Sequence, residues 1–282
     1  ACLRSLPVAT ILATQESGLY IPVYYPDTFL PQSIDSGLSN GQFARVPVMI
    51  GSNRDEGTLF AALYMGDYNY FSTWDDYLDG VDAFFLALPG YDEVQIAEDY
   101  LERAITYVTG NEDHPNNYRL AYSMLFTDVF FSCFNYGQWY QLAAYVDTYG
   151  YWFQDRQAPN GTWGTLFGNL FLPVGVDATH TLEIQYAWGW AGARGGTAAQ
   201  VALSEKMVRY WTRFAKTGDP NGDPDPEWVT FDRSATPPTI MSFDDDDDED
   251  DDTINGPASA DLFMNVHNCL YWQDPPLEGV KN

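Results

Sequence analysis

The apolar positions fall into short runs and longer helical stripes. The run that organises the chain is Val46-Pro47-Val48-Met49-Ile50, which closes at Gly51. Polar Ser52-Asn53-Arg54 follow, then the adjacent carboxylates Asp55 and Glu56, Gly57, and the apolar stretch Thr58 to Leu63. This pattern predicts a buried strand over 46–51 that delivers an acidic pair to its C-terminal end, and a helix from Thr58 to about Met65. Ligands gather at that end of open α/β sheets. The helix dipole favours acids there in any case.

The remaining pattern is mostly helical. Residues 1–45 are loop-rich, with Tyr20 to Tyr25 at best an edge strand because Pro22 cannot donate to a ladder. Thr73, with Asp76 three residues on, predicts a capped helix start. Residues 93–108 and 117–135 carry apolar side chains at helical spacing. Tyr149 to Phe153 is the best second strand, ended by turn residues. A helix over 199–216 stops at Thr217-Gly218-Asp219-Pro220, the Gly-then-Pro signal of a C-terminus. Trp228–Phe231 and Thr239–Phe243 suggest a β-ribbon, and 258–272 a last helix. Strands alternating with helices indicate α/β, with too few strands for a complete doubly wound sheet.

Composition narrows the classes of partner. The 282 residues are 45% hydrophobic and 16% aromatic, ample for a packed core, and contain no apolar run long enough to span a bilayer. A net charge of −27 with only 13 Lys plus Arg argues against nucleic acid and anionic membrane as partners. Asp244 to Asp252 is an unbroken acidic run, expected to be a solvated loop because like charges repel; it lacks the spacing of a calcium loop. Cys2, Cys133 and Cys269 make an odd count, which leaves one cysteine for another chain in an oxidising compartment. Asn160-Gly161-Thr162 is a glycosylation sequon, and the chain opens without a leader, as a processed protein or a piece of a longer one would.

Chemistry near neutral pH most often uses histidine, and there are three: His114 in a polar loop expected to be exposed, His267 on the last helix and expected to be structural, and His180 on a loop leading into a helix. Glu56 after a strand and His180 on a later loop have the order acid then base. A carboxylate can hold an imidazole in one tautomer while it takes a proton from a serine hydroxyl.

Several segments, in order, resemble the C-terminal half of the type-B carboxylesterase family, which includes cholinesterases and large fungal lipases. They are Ala1-Cys2-Leu3-Arg4; Phe29-Leu30-Pro31; Gly41-Gln42-Phe43; Gly51-Ser52-Asn53-Arg54-Asp55-Glu56-Gly57-Thr58; His180-Thr181-Leu182-Glu183-Ile184; and Tyr210-Trp211-Thr212-Arg213-Phe214 through Asn221. The resemblance spans nearly the whole chain, and the acid motif and late helix are its specific parts. It implies an α/β-hydrolase fold, of which residues 1–282 are the helix-rich C-terminal portion of a single domain, completing a sheet begun by an N-terminal chain. It implies that Glu56 is the triad acid and His180 the base, without metal or organic cofactor. It also implies a Cys133–Cys269 disulfide, worth ~4–5 kcal/mol in the chain-entropy model, and a Cys2 whose partner lies upstream. The acidic run has no counterpart in the resemblance.

The serine elbow of that family, Gly-x-Ser-x-Gly between a strand and a helix, would precede Cys2. Gly37-Leu38-Ser39-Asn40-Gly41 matches the pattern formally but has no apolar strand before it. The expectation is therefore a secreted ester hydrolase of small-molecule or lipid esters. Glu56 and His180 come from this chain, and the serine comes from an N-terminal partner chain, which Cys2 would link. Alone, the chain is expected to be inactive and poorly folded, because a half-sheet exposes an unpaired edge. The alternative is a non-catalytic cholinesterase-like adhesion or binding module; such relatives replace triad residues, and this chain keeps both.

Overall fold

The computed structural model describes residues 31–65, 71–85, 92–159, 178–245 and 255–273. The chain divides into two compact units, Ala1–Phe43 and Ala44–Asn282. The described part of the first holds one short helix, α1 (Ile34–Ser39), whose start is capped by Ser33 accepting from the Ser36 N–H at 3.1 Å. Ser39 therefore ends a helix, and Gly41 follows at φ 63°. The formal Gly-x-Ser-x-Gly match is not a strand-to-helix elbow.

The second unit is built on a four-stranded sheet in the order β1 (Val48–Asn53), β2 (Thr148–Phe153), β3 (Thr239–Phe243), β4 (Gly256–Ser259). β1, β2 and β3 run parallel, with Val48 opposite Thr148 and Tyr151 opposite Met241; β4 is antiparallel to β3. The helices of this unit are α2 (Gly57–Met65), α3 (Trp74–Phe85), α4 (Glu93–Ala104), α5 (Asn117–Thr127), α6 (Cys133–Leu142), α7 (Leu182–Ala187), α8 (Ala198–Thr217), α9 (Ala260–Val266) and α10 (Cys269–Gln273).

The period of two along the strands explains the layering. Tyr149, Tyr151 and Phe153 of β2, with Met241 and Phe243 of β3, pack against Tyr186 of α7 and Met207 and Tyr210 of α8. The alternate residues Trp152 and Ile240 pack on the other face, against Trp139 of α6 and Phe263 of α9. Both faces of the sheet are thus covered by helices, as parallel strands require. Gly150 marks a close approach: a Cβ there would sit 3.1 Å from the Trp139 ring. A third apolar cluster joins α2, α3, α4 and α5 through Ala61, Tyr77, Ile96, Tyr100 and Leu125.

Local signals account for most boundaries. Thr73 caps α3, with the Asp76 N–H donating to its Oγ1 at 3.2 Å. α8 begins with a capping box between Thr197 and Gln200 and ends at Gly218 with φ 79°. Four expectations are corrected. The long 117–135 helix is α5, a π-helical segment Asp128–Ser132, and α6 running on to Leu142. The 93–108 helix likewise turns π-helical at Ile105–Thr109. β3 pairs with β2 and β4, not with 228–231; Trp228 instead covers the sheet, its Nε1 donating to Gly150 O at 3.1 Å. The last helix is β4, α9 and α10, broken where Asn268 takes φ 49°.

The Cys133–Cys269 disulfide is formed, joining the start of α6 to the start of α10. Cys2 and Asn160 lie outside the described residues, as do 246–252 of the acidic run. Its first two members are not solvated: Asp244 and Asp245 are buried at the end of β3.

Candidate active site

Each of the three parallel strands ends in acid chemistry. β1 is followed by Asp55 and Glu56, β2 by Asp155, and β3 by Asp244 and Asp245.

Glu56 lies in the tight turn between β1 and α2 and is 5% exposed. Its Oε1 accepts the Asn53 N–H at 2.8 Å, and its Oε2 lies 2.6 Å from His180 Nδ1. The turn is held from two sides. Asp55 pairs with Arg156 at 3.5 Å, and its N–H donates to Ala178 O at 3.0 Å. The Gly57 N–H donates to Thr127 Oγ1 at 2.8 Å, and a Cβ at Gly57 would lie 2.1 Å from Ser123 O. Only glycine fits between the turn and α5, which gives the Asp-Glu-Gly run its physical reason.

The His180 segment docks on the same turn. Thr179 Oγ1 accepts the Leu59 N–H at 2.8 Å, satisfying one of the orphan donors of the α2 start. Thr181 stands at φ 74° before α7 begins. Phe60 of α2 and Phe131 of the π-helical segment contact the imidazole, ring centres 5.0 and 5.1 Å away. The π-helical turn thus contributes to the site, as such turns often do. The His180 side chain remains one-third exposed.

Electrostatics favour a charged imidazole. Burial lowers the His180 pKa, but the hydrogen bond and charge of Glu56, helped by Glu183, outweigh it and raise it above its ordinary value of 6.5. Glu183 is itself held above the usual carboxylate range by burial and by the charge of Glu56.

The other histidines do different things. His267 Nδ1 faces Asp128 Oδ1 at 3.0 Å in a fully buried pair, and Tyr100 OH donates to Asp128 Oδ2 at 2.8 Å. Burial drives both members neutral: Asp128 is pushed up and His267 down to about 3. This pair braces α4, α5 and α9, away from solvent. His114 is half-buried rather than exposed, its Nδ1 accepting the Asn116 N–H at 3.3 Å.

The carboxylates of Asp155, Asp244 and Asp245 bring ligand-type oxygens within 4.8 Å of one another. Asp155 already accepts from Tyr186 OH, from Gln200 Nε2 at 3.2 Å and from the Gln157 N–H at 2.9 Å. Burial, reinforced by its two acidic neighbours, lifts its pKa to about 7. The cluster is a hydrogen-bonded group of carboxylates beside α7 and α8.

Sequence reading had brought out Glu56 and His180. It missed Phe131, Phe60 and the role of Asn53 and Glu183, although Asn53 and Glu183 stand inside the quoted motifs. No helix among the described residues is long and apolar enough to cross a membrane.

A family model described as "Carboxylesterase family" matches residues 1–260. The chain is similar to acylcarnitine hydrolase of Rattus norvegicus, with 27% identity over 240 residues, 82% of this chain and 40% of that protein. It is similar to carboxylesterase 5A of Felis catus, at 26% over 83% of this chain and 41% of that protein. It is similar too to liver carboxylesterase of Sus scrofa, at 27% over 78% of this chain and 37% of that protein. The chain thus spans about two-fifths of the length of the curated relatives it matches.

Proposed function

Because this chain belongs to the carboxylesterase family, with its α/β-hydrolase fold, we propose that it is the C-terminal portion of a carboxylic ester hydrolase. It supplies the acid Glu56 and the base His180 of a Ser-His-Glu triad. The serine and the oxyanion donors come from an N-terminal portion, on the same longer protein or on a partner chain bridged through Cys2. The observation that carries this is the 2.6 Å contact between buried Glu56 and one-third-exposed His180.

In this reading Glu56 holds the proton on Nδ1, which leaves Nε2 free as a lone-pair base. Nε2 takes the serine proton as the oxygen attacks the ester carbonyl, and the imidazolium that forms is stabilised by Glu56. The same proton then passes to the leaving alcohol. Water, deprotonated by Nε2, releases the acid from the acyl-enzyme. Phe60 and Phe131 restrain the ring. The names of the relatives support small-molecule or lipid-like esters. The disulfide supports an oxidising, secretory location.

The test uses the longer protein with a fluorophosphonate probe and a p-nitrophenyl ester. A serine outside residues 1–282 is expected to be labelled, and His180→Ala is expected to abolish both labelling and turnover. Glu56→Gln is expected to lower kcat by about 10⁴-fold, as loss of the correct tautomer does. A folded protein that neither labels nor turns over ester would instead be the non-catalytic binding module. Intact mass with and without reductant tells whether the N-terminal portion is disulfide-linked.

A further inference from the structure

Asn53 ends β1 three residues before Glu56 and is 1% exposed. Its backbone N–H donates to Glu56 Oε1 at 2.8 Å. Its side-chain Nδ2 donates to Thr179 O at 2.8 Å and to Glu183 Oε2 at 2.6 Å. Thr179 and Glu183 flank His180 on either side. One buried residue therefore touches the acid and both shoulders of the segment that carries the base.

Two further facts give this contact weight. Thr181, inside the segment, is held at φ 74°, a left-handed conformation that a β-branched residue adopts only when its surroundings impose it. The amide orientation is also dictated: two acceptors surround Nδ2, while Oδ1 is buried with no hydrogen-bond partner among the described residues. Turning the amide over would set oxygen against a carbonyl and a carboxylate. The site has used Asn53 for its donors at the expense of its acceptor.

We infer that Asn53 is a positioning residue for the Glu56–His180 pair, and that Glu183 is the anchor on which its amide pulls. The inference rests on the reading of that pair as catalytic. Losing the amide donor leaves Glu56 tied to β1 through the backbone and removes two of the contacts that hold the His180 segment, so the base shifts more than the acid. Asn53 is buried and touches no substrate, so the loss falls on kcat and not on KM.

Asn53→Asp in the longer hydrolase replaces the donor by an isosteric acceptor facing Thr179 O and Glu183. The expected result is a kcat lower by about 100-fold with KM changed by less than about twofold. The low-field proton resonance of His180 Nδ1–H should broaden or vanish in a protein that remains folded. Adding Glu183→Gln restores a donor across the 2.6 Å contact and should recover about tenfold or more of the lost kcat, together with the resonance. Glu183→Gln alone keeps an acceptor for Asn53 and should stay within about fivefold of wild type.

An Asn53→Asp variant that keeps both kcat and the resonance overturns the inference. So does a double variant that fails to fold, or that folds no more active than Asn53→Asp. If Asn53→Asp alone fails to fold, the double variant decides: folding with the resonance supports the inference. A wild-type protein that shows the resonance but hydrolyses no ester refutes the hydrolase reading; the resonance comparison then still judges Asn53.

Discussion

Gly57→Ala is a one-methyl test of how tightly the site is built. An added Cβ would lie 2.1 Å from Ser123 O and 2.9 Å from both the backbone N and Oγ1 of Thr127. Close-packed interiors do not admit carbon–oxygen separations below about 3.0 Å, so α2 and α5 must part by about 0.9 Å or the turn must rotate. The obstacle is largely backbone, which cannot swing aside, so the destabilisation should sit at the upper end of overpacking, about 3 kcal/mol. In the longer protein the same free energy is divided by a larger unfolding entropy, so it is read from denaturant unfolding and not from the melting temperature. Glu56 immediately precedes Gly57, and the α5 backbone continues into the turn that carries Phe131. A displacement near 1 Å at the acid should therefore also lower kcat about 100-fold.

The matched control is Gly137→Ala in α6, where an added Cβ meets nothing within 4 Å. Ala in a helix interior should raise stability there by about 0.5–1 kcal/mol and leave kcat unchanged. Denaturant unfolding and ester turnover on the longer protein check both. A Gly57→Ala variant whose unfolding free energy stays within about 1 kcal/mol of wild type and that keeps its kcat would refute the close-packing argument.

Further outcomes follow from the same geometry. In the proposed triad His180 must be neutral to accept a proton, and its pKa is raised, so kcat/KM should rise with pH through a midpoint above 6.5. Glu183→Gln should move that midpoint down, and an unmoved midpoint would show that Glu183 does not act on His180. Folded Asp155 keeps its proton up to about pH 7, whereas the unfolded carboxyl releases it near 3.8. The native state therefore binds more protons in that window, and its stability falls as pH rises, by at most about 4 kcal/mol. Asp155→Asn should remove that loss, so its melting advantage over wild type should grow from pH 4 to pH 8; a constant difference would contradict the assignment. Replacing Cys133 and Cys269 together by Ser opens a loop with a sequence separation of 136 residues. It should cost about 5 kcal/mol in denaturant unfolding.

Period and punctuation carried much of the fold. β1, β2 and α8 were readable because their apolar residues recur at the spacing of their elements and because Thr197 and Gly218 cap α8, although β1 runs through Gly51 to Asn53 instead of closing there. The π-helical segments were not readable: one extra residue in a turn leaves the apolar stripe nearly intact, and its consequence is where Phe131 points. The β3–β4 pair was missed because Gly256-Pro257 reads as a turn, while the strand is specified by its place beside β3. The burial of Asp244 and Asp245 could not be read from an acidic run, since it follows from where β3 ends. Glu56 and His180 emerged through resemblance, and nothing in linear spacing shows that the Asn53 amide meets a carboxylate 130 residues away.

The burial of His267 has a practical consequence for spectroscopy. The chain has three histidines, and His267, held neutral down to about pH 3, contributes a signal that does not move across the working range. In an imidazole titration of the longer protein His267 is therefore a stationary signal. The moving signal that disappears in His180→Ala is a direct reporter of the site.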